Sequence, residues 1–137
     1  MIHPMLQISL VALGSALGGV LRWTVNMAAA RWLGTEFPFG TLIINLVGCF
    51  FLGWFLSFIS ERPPDYAIAW LGREELRLAI AVGFTGSFTT FSTFEWESHA
   101  LFCEGSRWAT ITYLIGSVVL GLLAIHLGVM LSATRKL

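Results

Sequence analysis

Long apolar stretches alternate with short polar connections along this chain, and the pattern predicts four membrane-spanning helices. Charged side chains are absent before Arg22, from Phe37 to Ser60, from Leu78 to Phe94 and from Trp108 to Thr134. A helix needs about 20 apolar residues to cross the hydrocarbon core. We therefore expect one domain, residues 1–137, an all-α membrane protein with segment one from about Met5 to Trp32, segment two to Ser60, segment three to Cys103 and segment four to Leu131.

The connections between the segments are polar and differ in length. Gly34 to Pro38 is a short connection, and Glu104 to Arg107 is a tight turn. The second connection is longer, because the prolines in Glu61 to Asp65 end segment two. Tyr66 to Arg77 predicts a short amphipathic helix at the membrane surface, with Trp70 at the headgroups.

Segment three carries a pattern that a plain membrane anchor does not need. Its hydroxyl side chains would face hydrocarbon at a cost unless they lined a helix interface or a wet pathway, and its glycines weaken the helix. The hydroxyls belong to Thr85, Ser87, Thr89, Thr90, Ser92 and Thr93. Four phenylalanines at helical spacing would stack on one face: Phe84, Phe88, Phe91 and Phe94. An aromatic face beside hydroxyls favours a selective pore.

Composition agrees that the bilayer is the solvent of this chain. Charged residues make up 12% and hydrophobic residues 56%, whereas an ordinary soluble domain is roughly 25% charged. Four helices are too few to enclose a wide lumen, so an oligomer with its path near or between subunits is expected. Net charge is zero without a basic block, so nucleic acid is not an expected partner. Cys49 and Cys103 are expected to be free thiols.

Positive charge favours cytoplasmic termini only modestly. With four spans both termini share a side, and that side carries Arg62, Arg73, Arg77, Arg135 and Lys136. The opposite side carries Arg31 and Arg107. Because the margin is small, insertion in both orientations stays open.

Several polar or small residues inside the segments allow two interpretations. Asn45 either only ties helices together or has a functional role, and Arg22 either snorkels to the interface or pairs within the protein. Glu95 and Glu97 should point to different faces of segment three. The Gly14-xxx-Gly18 pair could pack within the chain or form a dimer seam.

These residues carry a resemblance to the Fluc (CrcB-type) fluoride channels over nearly the whole chain. The similar pieces are Gly18-Gly19-x-x-Arg22, Gly40-Thr41-Leu42-x-x-Asn45, the run from Gly86 to Phe94 with Glu97 beyond it, and Tyr113-x-x-x-Ser117. The resemblance implies an antiparallel, dual-topology dimer with two narrow fluoride pathways in a bacterial inner membrane. It leaves open a heterodimer with a paralogue instead of a homodimer.

The resemblance also implies roles for particular residues. Phe91 and Phe94 would be the pore phenylalanines, and Asn45 a fluoride-coordinating amide. Arg22 would be structural. The backbone carbonyls of Gly86 and Thr89, at a break in segment three, would hold a sodium ion shared by the two subunits. The polar lining would comprise Thr41, Ser92, Thr93, Glu97, Tyr113 and Ser117. Some relatives carry a further hydroxyl one turn after Ser117, where this chain has Gly121, so the resemblance does not define the end of the polar track on segment four.

Fluoride is small and strongly hydrated, so a path through lipid must replace its water with hydrogen-bond donors and aromatic ring edges.

A small multidrug-type proton-coupled exporter needs an acid in the middle of segment one, but the first acid is Glu36. An intramembrane hydrolase would pair Ser92 or Ser87 with His99; seven residues from Ser92 is about 10 Å along a helix, too far for a nucleophile and its base. A purely structural subunit is the third alternative.

Overall fold

The frame of the fold is three long helices. The computed structural model describes residues 3–63, 65–68 and 71–133. Within them, three helices are long and apolar enough to cross a membrane: α1 (Pro4–Leu33), α2 (Phe39–Ser60) and α6 (Arg107–Ala133). Between α2 and α6 lie β1 (Ala67–Ile68), β2 (Leu71–Gly72), α3 (Arg73–Leu76), a π-helix (Arg77–Thr85), α4 (Gly86–Phe88) and α5 (Phe91–Cys103).

Local sequence sets the ends of the long helices. His3 caps α1, because its Nδ1 accepts a hydrogen bond from the Met5 N–H at 3.3 Å, and Pro4 occupies the first turn, where no N–H is needed. Gly34 ends α1 with φ +82°, and Gly105 turns the chain between α5 and α6 with φ +79°. Both are conformations that glycine adopts without strain.

Segment three is interrupted as predicted, at the end of the stretch from Gly86 to Thr89. Gly86 is helical, with φ −61° and ψ −33°. The chain leaves the helix at Thr89 (ψ 160°) and Thr90 (φ −151°, ψ 120°). Helix α5 then restarts, because the Thr90 hydroxyl accepts a hydrogen bond from the Thr93 N–H. The Thr90 cap therefore sets where α5 begins.

The predicted amphipathic helix from Tyr66 to Arg77 is wrong. Ala67–Ile68 pairs antiparallel with Leu71–Gly72, and the helix begins only at Arg73. Gly72 is extended at the start of α3, and the Arg73 guanidinium donates to the Arg62 carbonyl at 3.2 Å. This contact holds the helix start against the end of α2. Trp70 lies outside the described residues, as do Arg135 and Lys136.

Glycines bring α1 close to the π-helix. A Cβ on Gly14 or Gly18 would overlap the carbonyl oxygen of Ala79 or Phe84, respectively, and one on Gly83 would lie 2.7 Å from the Val11 carbonyl oxygen. The Gly14-xxx-Gly18 pair therefore packs within the chain. It does not form the seam with a second copy that the sequence left open.

The helices run in alternating directions. Along α2 and α6, Thr41 and Tyr113 share a partner, Cys49 faces Gly121, and Gly53 lies against Ile125. Numbers rise together in these pairs, so α2 and α6 are parallel. In contrast, Thr41 contacts Glu97 and Asn45 contacts Thr90, so α2 and α5 are antiparallel. The segment from α3 to α5 therefore runs opposite to α2 and α6.

Candidate functional site: a polar path beside a broken helix

The Glu97 carboxylate on α5 accepts hydrogen bonds from two hydroxyls, one on α2 and one on α6. Thr41 donates to Glu97 Oε1 at 2.9 Å, and the Tyr113 hydroxyl donates to Glu97 Oε2 at 2.7 Å. Thr41 and Tyr113 are each only 1% exposed. Glu95, two residues earlier on α5, is exposed, which confirms that Glu95 and Glu97 point to different faces of the helix. The three side chains form the hydroxyl–carboxylate cluster, in which α2, α5 and α6 meet.

Two aromatic rings pack against the Tyr113 ring of this cluster. The Tyr113 ring lies 5.0 Å from the Phe94 ring and 5.4 Å from the Phe37 ring, centroid to centroid. The Phe37 contact is nearly perpendicular, at 79°. Sequence reasoning missed Phe37, which it assigned to a connection; its position before the proline that precedes α2 gave no signal of this contact.

Asn45 clamps the break in segment three. Its Nδ2 donates to the Thr90 carbonyl at 3.0 Å, and its Oδ1 accepts from the Thr90 N–H at 2.9 Å. A backbone that leaves the helix would otherwise expose both groups to lipid, at a cost of several kcal/mol in a bilayer, of order ~2–7 per group. Asn45 thus stabilises the break, and the second N–H of its Nδ2 group is left for another acceptor.

The clamp also changes which backbone carbonyls are satisfied. In a continuous α-helix the Thr90 N–H would bond to the Gly86 carbonyl and the Thr93 N–H to the Thr89 carbonyl. Here Thr90 donates to Asn45, and Thr93 donates to the Thr90 hydroxyl at 3.3 Å. The Gly86 and Thr89 carbonyls therefore lose their helical donors.

Arg22 reaches the same break from α1. Its Nη1 donates to the Thr89 carbonyl at 3.5 Å, and the residue is half-buried. Of the two interpretations of Arg22, the described contact favours pairing within the protein. The distance is at the outer limit of a hydrogen bond, so this contact leaves the carbonyl only weakly satisfied.

The predicted aromatic face of segment three is divided by the break. Phe84 and Phe88 stack in parallel, with centroids 6.0 Å apart, before it. Phe91 and Phe94 form a second pair, at 6.1 Å, after it. Phe94 is 6% exposed, whereas Phe91 is 74% exposed on the surface of a single chain. The four rings therefore do not form one stripe.

Not every hydroxyl in segment three lines a path. Thr85 donates to the Ile80 carbonyl and Thr89 to the Thr85 carbonyl, each at 3.0 Å, so both satisfy the backbone of their own helix. Ser92 is exposed. Thr93 accepts from the Thr90 hydroxyl at 2.9 Å. On α6, the Ser117 Oγ is buried, and within the described part of the chain it has no hydrogen-bond partner.

Two cavities border these groups. One, of about 330 Å³, opens at the connection of α1 and α2 and is lined in part by Asn26, Thr41 and Glu97. The other, of about 270 Å³, lies at the break and is lined in part by Asn45 and Gly86, together with Cys49, Thr89, Phe91 and Phe94. Of the polar residues predicted from sequence, Thr41 and Glu97 line the first cavity and Asn45 lines the second, whereas Ser92, Thr93, Tyr113 and Ser117 line neither.

The structure gives no support to a catalytic arrangement. His99 contacts the Cys103 sulfur at 3.7 Å and stacks on Trp96, further along α5 than Ser92. Over residues 3–63, 65–68 and 71–133, no three His, Cys, Asp or Glu side chains form a group that could hold a metal ion.

Comparison with known proteins gives the family. Residues 9–129 match the model of the family described as CrcB-like protein, Camphor Resistance (CrcB).

Relatives with the name fluoride-specific ion channel FluC include the following three. The one from Solibacter usitatus is 39% identical over 125 residues, covering 90% of this chain and 95% of that protein. The one from Chloroflexus aurantiacus (strain ATCC 29366 / DSM 635 / J-10-fl) is 44% identical over 119 residues, covering 87% and 89%. The one from Synechococcus sp. (strain JA-2-3B'a(2-13)) is 41% identical over 134 residues, covering 96% and 97%.

These names describe ion channels, in agreement with the expectation that the chain is not an enzyme. The match covers most of the chain, including α2, the broken segment and most of α1 and α6. The chain is therefore a multi-pass membrane protein that belongs to the CrcB-like family.

Proposed function

We propose that this protein is a fluoride channel that lets fluoride leave the cytoplasm by passive conduction through narrow pores in a dimer. The observation that carries the proposal is the polar path itself. The buried hydroxyls of Thr41 and Tyr113 and the half-buried amide of Asn45 lie beside the broken helix and the Phe91–Phe94 pair. The names of the relatives supply the identity of the ion.

In this proposal hydrogen-bond donors and ring edges replace the water around fluoride. Asn45 contributes the N–H that Thr90 does not use, and the edges of the Phe91 and Phe94 rings carry partial positive charge. Ser117 contributes a buried hydroxyl whose oxygen has no partner in the described residues. Ser92 and Thr93 would line the approach. Because these groups are uncharged, they can bind an anion weakly enough to release it.

The complete pore requires a second copy of the chain. The stretch from Arg73 to Cys103 acts as a fourth, broken span, and its antiparallel direction to α2 supports this assignment. The break cavity and the exposed Phe91 ring would meet a partner of opposite orientation in the bacterial inner membrane. We favour a homodimer over a heterodimer with a paralogue, because one chain carries every residue of the proposed path.

A structural sodium ion is proposed at the centre of the dimer, on the carbonyls of Gly86 and Thr89. Both carbonyls have lost their helical donors, so their oxygens fit a cation that prefers oxygen ligands. A bound sodium ion would offset these partial negative charges where two breaks meet. Arg22 also places positive charge near the Thr89 carbonyl, so Arg22 and the sodium ion would together offset the partial negative charge of that oxygen.

The exporter alternative has weaker support. A proton-coupled mechanism needs an acid within the first span, but Glu36 lies in the connection between α1 and α2, where it lines the larger cavity. A purely structural subunit is the remaining alternative, and it would carry no ion.

A growth experiment tests the proposal. Bacteria that lack their own fluoride exporters and express this chain should grow at fluoride concentrations that stop the parent strain. The variant Asn45→Asp should fail to protect, because a carboxylate cannot donate to Thr90 and repels an anion on the path, by several kcal/mol if ionised. Expression in the membrane is measured for both proteins. Equal protection by Asn45→Asp would reduce Asn45 to a helix tie, and no protection by the parent chain would remove the channel.

A further inference from the structure

The mouth of the polar path contains an amide outside the residues assigned above. The cavity of about 330 Å³ leads to the hydroxyl–carboxylate cluster, since Thr41 and Glu97 both belong to its lining. Its other polar side chains are those of Asn26, Thr35, Glu36 and Glu104. Among these, Asn26 is the amide, and it comes from the long helix α1 and not from a connection.

Gly40 holds the Asn26 amide at the edge of this cavity. A Cβ on Gly40 would overlap the Asn26 Oδ1 atom, so glycine at this position leaves the room that the amide occupies. Gly40 directly precedes Thr41 on α2. The Asn26 amide therefore lies beside the residue that precedes Thr41 of the hydroxyl–carboxylate cluster.

The hydrogen-bonding capacity of Asn26 is unused by the protein. The residue is half-buried, and within the described residues neither of its amide atoms has a hydrogen-bond partner. Its Nδ2 group therefore has two N–H donors for a ligand in the cavity. The Asn45 amide, in contrast, already makes two hydrogen bonds to Thr90.

The acidic side chains of this cavity oppose an anion, so an uncharged hydrogen-bond donor there favours the entry of one. Three carboxylates line it, those of Glu36, Glu97 and Glu104, and each repels an incoming anion when ionised. Asn26 follows Arg22 by one helical turn, as Asn45 follows Thr41 on α2. The antiparallel helices α1 and α2 thus each place two donor residues in succession between the cavity and the break.

We propose that Asn26 binds fluoride at the entrance, donating hydrogen bonds to the ion as it loses water and before it reaches Thr41 and Tyr113. This inference rests on the proposed channel function. It adds a residue that determines entry and that carries no charge.

Fluoride efflux from liposomes tests the proposal. Vesicles loaded with potassium fluoride contain the purified full chain, and a fluoride electrode records the initial rate at several fluoride concentrations. Asn26→Asp keeps the shape of the side chain but removes the donors, and Asn26→Leu removes the polarity. Thr24→Ala is the matched control on α1, since Thr24 is exposed and, among the described residues, its hydroxyl bonds only to the Val20 carbonyl, at 3.0 Å.

We expect both Asn26 variants to lower the rate about tenfold at low fluoride, the loss of one hydrogen bond to a charged group, and to require more fluoride for half-maximal rate. Thr24→Ala should match the parent. If Asn26→Leu does not fold, Asn26→Asp decides alone. Parent rates in Asn26→Asp, or a loss that is the same at every fluoride concentration, would overturn the inference. No efflux from the parent chain would instead overturn the channel function.

Discussion

At the scale of single residues, the two phenylalanines of the second aromatic pair occupy different environments. Phe94 is buried against Tyr113, whereas Phe91 is 74% exposed on one chain. The Phe91 ring contacts the Phe94 ring but is not part of the buried core of its own chain. The Phe91 ring is therefore the better test of whether an aromatic edge serves the ion, because its replacement leaves the core of the chain intact.

We predict that Phe91→Ile and Phe94→Ile each strongly reduce fluoride efflux, because isoleucine keeps the bulk and removes the ring quadrupole. Only Phe94→Ile should also lower thermal stability in detergent, through the lost contact with Tyr113. The check is efflux and unfolding temperature for both variants. Unchanged efflux in both would assign the rings to packing alone.

At the scale of elements, close contact between helices depends on glycine at particular positions. On α6, a Cβ on Gly128 would overlap the Phe50 carbonyl oxygen of α2, whereas one on Gly116 would meet nothing within 4 Å. The two glycines share a helix and differ in what they face. They form a matched pair for testing how α2 and α6 pack.

We predict that Gly128→Ala destabilises the protein by about 1–3 kcal/mol, the usual cost of overpacking, and that Gly116→Ala does not. Alanine at Gly116 could even stabilise the helix slightly, by up to about 1 kcal/mol. Unfolding in detergent measures the difference. Equal stability of the two variants would mean that α2 and α6 do not approach as closely as the structure has it.

Some elements of the fold could be predicted from the sequence, and others could not. Windows free of charge predicted the three long helices, because length and apolarity alone decide whether a helix can cross lipid. The resemblance implied a break at Gly86 to Thr89, and the chain leaves the helix at the end of that stretch, at Thr89 and Thr90. What fixes it is the contact of Asn45 with Thr90, which joins residues 45 positions apart. The hairpin at Ala67–Ile68 was missed because a short amphipathic stretch fits a strand or a helix.

At the scale of the whole molecule, the break cavity is the surface that a second copy would cover. Gly86 lines it, and a Cβ there would meet only the Ala81 carbonyl oxygen, at 3.8 Å. A Cβ at Gly86 therefore has room within one chain. A loss of dimer without a loss of fold would place the effect where another chain or an ion lies.

We predict that Gly86→Val leaves the chain folded but weakens dimerisation and efflux, while Thr89→Ser changes little because only the Thr89 carbonyl is needed. Replacing sodium with N-methylglucamine should weaken the parent dimer in the same direction. Cross-linking yield and efflux are compared in the two cations. The same values for both variants and the parent in both cations would contradict a central sodium ion.

The most direct test of the account is ion efflux from liposomes that contain only the purified parent chain. Fluoride and chloride electrodes record release from vesicles loaded with both ions at equal concentration. We expect rapid fluoride release with chloride retained, because narrow donor-lined pores built from one kind of chain suit a small anion. Retention of fluoride, or release of both ions at similar rates, would contradict a fluoride-selective channel formed by this protein.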